Sequence, residues 1–327
     1  DKGVLNYQKN LAETHKDKLV GKLINMSVEI DIPEPDKEIE DTALFKFDYY
    51  KHHYWDNIDL NDDRLGKSAL FYNQMEKYFT KVIPQAPDTI IKRIDEFLSQ
   101  VDQGGIMWKS SIEFLIYAHI KTKIMGMDAV YVHMADNYIL NGKCDDWIDK
   151  EKIDKIRPKV NKMRPTLIGK TAPNLILADS TEKNWINLKS VKHKYTLLIF
   201  WADDCGHCQK EIPKFHAFYD SIKKNTNIDL EVYAVCTSIE NDGWIKFIDK
   251  HNLDWINVSD FQDMRDTPEK YIINGSTTLK SINYRNSYDV FVTPIAYLLD
   301  ENKKIIAKQF DSEQFHHILT VSINNNF

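Results

Sequence analysis

The first half of the chain repeats apolar residues at helical spacing among charged ones, and strand-like alternation is scarce before residue 164. The pattern predicts helices over residues 5–26, 42–58, 69–82, 87–101, 107–125, 127–140 and 150–162. The second is dense in aromatics: Phe45, Phe47, Tyr49, Tyr50, Tyr54 and Trp55. Pro84 and Pro87, Gly104 with Gly105, and Gly126 fall at the joints, where helix-breaking residues belong. Residues 1–164 therefore read as an all-α helical domain of six or seven helices.

Past Arg164-Pro165 the texture changes, with Gly169 and Pro173 flanking a short connection and β-branched runs beginning to alternate with helical stretches. Residues 174–178 and 185–188 read as a hairpin, and 195–201 is a continuous apolar strand of the kind buried on both faces. Helices over 206–223, 243–251 and 312–322 alternate with strands at 230–236, 295–299 and 304–308. That order gives residues 165–327 an α/β architecture, a central mixed sheet with parallel pairs flanked by helices.

Composition narrows the function classes. At 43% hydrophobic and 28% charged, 327 residues suit two ordinary globular domains. No apolar run reaches the roughly 18 residues needed to cross a bilayer. A net charge of −6 leaves no basic footprint for nucleic acid. The chain opens Asp1-Lys2-Gly3, without the basic and apolar regions of a signal peptide. Four cysteines are too few for a disulfide scaffold. Cys236 closes an apolar run and reads as a small core residue, Cys144 as a loop thiol, and Cys205 with Cys208 as one close pair.

The pair falls where a buried strand gives way to a helix. Unpaired N–H groups and the helix dipole favour an anion there, so a thiolate at Cys205 is stabilised. Two intervening residues place Cys208 one turn inside the helix, within reach of a mixed disulfide on Cys205. The roles follow: Cys205 attacks and Cys208 resolves. His207 between them favours the thiolate further, which sets an expected potential between thioredoxin's (about −270 mV) and protein disulfide isomerase's (about −180 mV). A zinc site lacks a second ligand pair, and covalent haem attachment would need His where Gln209 stands. The expectation is no metal and no cofactor beyond a redox-active Cys205–Cys208 disulfide.

Phe200-Trp201-Ala202-Asp203-Asp204-Cys205-Gly206-His207-Cys208-Gln209-Lys210-Glu211-Ile212-Pro213 resembles the active-site segment of the TlpA/ResA-like thioredoxins. Gly169-Lys170-Thr171-Ala172-Pro173 is similar to that branch's approach to its first strand, and Val292-Thr293-Pro294 to its cis-proline segment. The resemblance implies a thioredoxin fold, a cis Pro294 facing the dithiol, and a Thr293 backbone that pairs with an extended partner segment. It also implies protein thiols or disulfides as partners and an upstream thiol donor. Trp201 belongs to the same motif. Ile199 stands where thioredoxin has a buried aspartate, leaving Glu211 as the nearest substitute proton acceptor for Cys208, and Asp204 sets a negative charge beside the thiolate. The 85 residues between Cys208 and Pro294 exceed the minimal fold. A further helix and strand over 255–271 accounts for part of the excess, and 275–288 reads as an extra surface loop.

The helical half, through Tyr49 to Asp56, Pro84 to Ile90 and Met125 to Asp128, is similar to a domain of unassigned function that precedes thioredoxin modules in Bacteroidetes envelope proteins. That implies an extracytoplasmic, periplasmic setting, with membrane contact through a lipid anchor at most. His52 with His53, Met125, Met127, His133 and Met134, and His316 with His317 read as packing or partner contacts rather than metal ligands. The leading reading is thiol-disulfide exchange with protein partners. The alternatives are a helical binding module carrying a redox-inert appendage, and a thiol peroxidase.

Overall fold

A computed structural model describes residues 2–36, 39–120, 122–238 and 241–324. The chain divides into two compact units, Asp1–Arg157 and Pro158–Phe327.

The first unit is helical: α1 (Lys2–Thr14), α2 (Leu19–Met26), α3 (Thr42–His52), α4 (Ala69–Lys77), α5 (Pro87–Leu98), α6 (Ile106–Ile120), α7 (Asp128–Met134) and the start of α8 (Lys150–Met163). Two expectations are corrected here. The single helix over 5–26 is two, folded against each other where Lys18 N–H bonds the His15 carbonyl. Gly21 makes this approach possible, because a Cβ there would lie 2.0 Å from the His15 carbonyl oxygen. The helix over 42–58 stops at His52 and buries none of its residues. Three-residue turns follow, and Tyr54, Trp55 and Ile58 enter the core from them. Trp55 packs there with its ring centroid 4.6 Å from Phe97 and 4.9 Å from Tyr78. Single π-helical turns extend α4 over Tyr78–Val82 and α7 over Ala135–Ile139.

The second unit is built on a seven-stranded mixed sheet in the order β2-β1-β5-β4-β3-β6-β7. Its strands are β1 (Ile176–Asp179), β2 (Trp185–Asn187), β3 (Tyr195–Trp201), β4 (Leu230–Cys236), β5 (Ile256–Ser259), β6 (Ile295–Leu299) and β7 (Ile305–Lys308). Strands β3, β4 and β5 run parallel; β6, β7, β1 and β2 pair antiparallel. Around them lie α9 (Cys208–Asn225), α10 (Asn241–His251), α11 (Gln262–Asp266), α12 (Pro268–Ile273), α13 (Leu279–Ile282), α14 (Tyr284–Ser287) and α15 (Ser312–Asn324). All seven residues of β3 are buried, as its unbroken apolar run requires.

Residues 275–288 are not the surface loop expected. Short helices α13 and α14 turn Ser281, Tyr284 and Tyr288 inward, and Tyr284 stacks on Phe200 of β3 with centroids 5.5 Å apart. Polar tips are satisfied on the way in. Ser281 Oγ accepts from Ile176 N–H, and the Tyr284 hydroxyl donates to Asp260, which also pairs with Arg285. Among the described residues no helix is long and apolar enough to cross a membrane.

Candidate active site

Cys205 lies in the turn that leaves β3, and Cys208 is the first residue of α9 rather than one turn inside it. The turn is held from three sides. Asp203 N–H donates to Ser238 Oγ at 3.0 Å, Gln209 Nε2 donates to the Asp203 carbonyl at 2.8 Å, and Cys205 N–H bonds the Ala202 carbonyl at 3.3 Å. Gly243 of α10 completes the fit, since a Cβ there would fall 2.0 Å from the Asp203 carboxylate. Ser238 and Gly243 were missed in the sequence because they lie 35 and 40 positions beyond Asp203.

The two sulfurs are in opposite environments. Cys205 is half-buried and Cys208 fully buried; both are free thiols. Partial burial works against the Cys205 thiolate, but the Cys208 N–H, the Cys208 thiol, Thr293 and the His207 N–H outweigh it and draw its pKa below that of an ordinary thiol. Burial pushes Cys208 the other way, up to about 12, against relief from Thr293 and the Ala202 backbone. His207 thus acts on Cys205 through its backbone N–H. His207 and Asp204 both face solvent.

The Thr293–Pro294 peptide bond is cis. It opens β6 beside the dithiol, and the Cys205 thiol donates to the Thr293 carbonyl at 3.4 Å. Sequence reading assigned Thr293 a backbone role alone; its side chain also bears on both sulfurs. Trp201 sits at the end of β3, wholly buried against Phe247 with centroids 5.0 Å apart, so it supports the turn from below. Ile199 is buried between Ala234 and Ala296 and brings no acid into the site.

Glu211 is buried in the first turn of α9, and its carboxylate is shared with the start of α15. Only 6% exposed, it accepts from the Ser312 N–H at 3.1 Å and the Ser312 hydroxyl at 2.7 Å, at the start of α15, and from Lys214 Nζ at 2.9 Å. Burial alone would raise its pKa, yet Lys214 and Ser312 bring it down to about 2. Glu211 thus ties α9 to α15. Because its folded pKa lies below the ordinary 4.5, the stabilisation is complete above that value and is lost as pH falls toward 2. Glu211→Gln should therefore cost about 1–2 kcal/mol at pH 7. In thermal melts the gap to wild type should narrow progressively as pH falls from 4.5 toward 2; an equal gap at pH 7 and near pH 2 would contradict this account.

His52, His53 and His133, singled out in the sequence, have protein partners. His53 bonds Asp56 at 2.6 Å, His133 bonds Asp95 at 2.8 Å, and Met127 and Met134 are buried. Among the described residues the grouping tight enough to hold a metal ion is His216, Asp220 and Asp254, on and beside α9. Lys223 and Lys224 already pair with its two carboxylates.

Residues 168–308, which carry the turn, both cysteines and the cis-proline, match the model of the AhpC/TSA family. The chain is also 33% identical to a domain of a possible thiol-disulfide isomerase from Cytophaga hutchinsonii, over 49% of this chain and 95% of that one, with a TM-score of 0.38. The C-terminal half belongs to this thioredoxin-like family. Its sheet and helices are thus those of a thioredoxin-like domain, and residues 7–163, ahead of it, match a domain of unknown function, DUF5106. The thioredoxin-like half is 29% identical over 148 residues to the thiol-disulfide oxidoreductase ResA of Bacillus anthracis, covering 45% of this chain and 71% of that protein. A thioredoxin-like protein from Bacteroides caccae shares the fold across 89% of this chain and 98% of its own, with a TM-score of 0.60 at 16% identity.

Proposed function

We propose that this chain is an extracytoplasmic thiol-disulfide oxidoreductase that exchanges disulfides with protein partners through Cys205 and Cys208. The observation that carries this reading is the contrast between the two thiols. The accessible Cys205 is drawn toward the thiolate, while the buried Cys208 stays protonated until it is needed.

In the reducing direction the Cys205 thiolate attacks a partner disulfide. A Cys205–partner S–S bond forms, and the partner's other sulfur leaves and takes up a proton. Cys208 then loses its proton and attacks Cys205. This releases the second partner thiol and leaves a Cys205–Cys208 disulfide, so the partner has gained two electrons and two protons. An upstream thiol donor restores the dithiol. We infer that the Thr293 carbonyl, 3.4 Å from Cys205 Sγ, holds an extended partner segment by its backbone during the exchange.

The test is turnover of a protein disulfide such as insulin with dithiothreitol as donor. Because the Cys205 pKa is lowered, single-turnover alkylation of Cys205 by iodoacetamide should begin at lower pH than that of a free thiol. Cys208 should stay unreactive through pH 9. A reduced protein that neither accelerates insulin reduction nor distinguishes its two thiols would refute the proposal.

A further inference from the structure

A cavity of about 410 Å³ opens in the helical unit among α6, the π-helical turn after α7 and the start of α8. Along α6, Ile112, Ile116 and Ile120 follow one another at four-residue spacing and make one apolar wall. Ile139 and Ile148 face into the same space, the former supplied by the π turn, a distortion that recurs at functional sites. The floor is fixed, since Ile112, Tyr131 and Ile139 are all buried in the core behind it. A mainly apolar chamber of this volume lies in the range of small-molecule sites. An apolar cavity of about 150 Å³ already takes benzene, so this one suits a body two to three times larger.

The mouth carries charge. Lys152 and Lys155 stand one turn apart on α8, with Glu113 on the α6 side. Lys155 bonds Glu151 at 2.6 Å, whereas Lys152 makes no ion pair among the described residues. Long lysine side chains can lie along an apolar wall and keep the ammonium at the opening. From this combination we infer that the helical unit binds an anionic amphiphile of medium chain length, its apolar body against the isoleucines and its head group at Lys152. The site is separate from the dithiol and does not depend on its chemistry.

Isothermal titration of the full chain with sodium decanoate, and separately with decan-1-ol, tests this. Decanoate should bind saturably at one site. Ile116→Trp, which fills the chamber, should abolish binding of both probes. Lys152→Glu should weaken decanoate by about five- to tenfold and leave decan-1-ol unchanged, since only the charged head feels the reversal. If Ile116→Trp loses the wild-type circular dichroism, the surface change at Lys152 carries the test alone. Absence of saturable binding by either probe would overturn the inference. So would decanoate affinity indifferent to Lys152→Glu.

Discussion

Cys208→Ser should leave Cys205 covalently joined to its partner, because the thiol that would release the mixed disulfide is gone. Cys205→Ser should capture nothing. With the nucleophile replaced by a hydroxyl, disulfide reduction should fall by about a thousandfold or more, the scale on which a residue of a concerted catalytic unit is lost. The physical basis is the division of labour between the sulfurs. Cys205 is reachable and its anion is stabilised by N–H groups at the start of α9, while Cys208 is fully buried and pushed up to about 12. Non-reducing electrophoresis and mass spectrometry of the trapped species would show which cysteine is joined. Capture through Cys208 in Cys205→Ser, equal to that through Cys205, would reverse the assigned roles. Retention of wild-type turnover in Cys205→Ser would remove the dithiol from the reaction.

Phe200→Ala should be the most damaging single change to the thioredoxin-like half. Phe200 is fully buried in the central strand, with Tyr284, Tyr288 and Tyr297 ring centroids at 5.5, 4.8 and 6.2 Å. Removing the ring leaves a cavity that these tyrosines cannot fill. Their own positions are pinned by hydrogen bonds to Asp260, the Pro173 carbonyl and the Tyr288 carbonyl. The expected loss is about 3–5 kcal/mol, read from urea unfolding of the full chain followed by near-ultraviolet circular dichroism. Ile273→Ala, at a side chain 84% exposed on α12, should change stability by less than about 0.5 kcal/mol. If Phe200→Ala were equally mild, the packing of α13 and α14 on β3 would be wrong.

That packing also shows where reading the sequence stopped short. Residues 275–288 combine Gly, Ser, Thr and Asn with scattered aromatics, a composition that reads as loop. Nothing local says that Tyr284 and Tyr288 point inward; the empty face of β3 decides it. Residues 42–58 show the converse. Aromatic density there suggested one long helix, but the helix ends at His52, and Tyr54, Trp55 and Ile58 reach the core from the turns that follow. β5, unassigned except as room for a strand over 255–271, pairs with β4 on one edge and β1 on the other. Four residues are too few to announce a strand without those partners.

By itself the sequence determined the strands β3, β4 and β6 to the residue, the place of the cysteine pair between strand and helix, and the proline that precedes β6. Each is written in a local pattern: an unbroken apolar run, a C-x-x-C spacing, a ring that fixes the backbone. Tertiary structure decided what no local pattern holds. It set the Thr293 carbonyl against Cys205, buried Cys208 while leaving Cys205 reachable, and joined Glu211 to Ser312, 101 residues away. Burial and charge environment are properties of neighbours brought together by folding, so the chemical identity of the site was legible in the chain and its proton affinities were not.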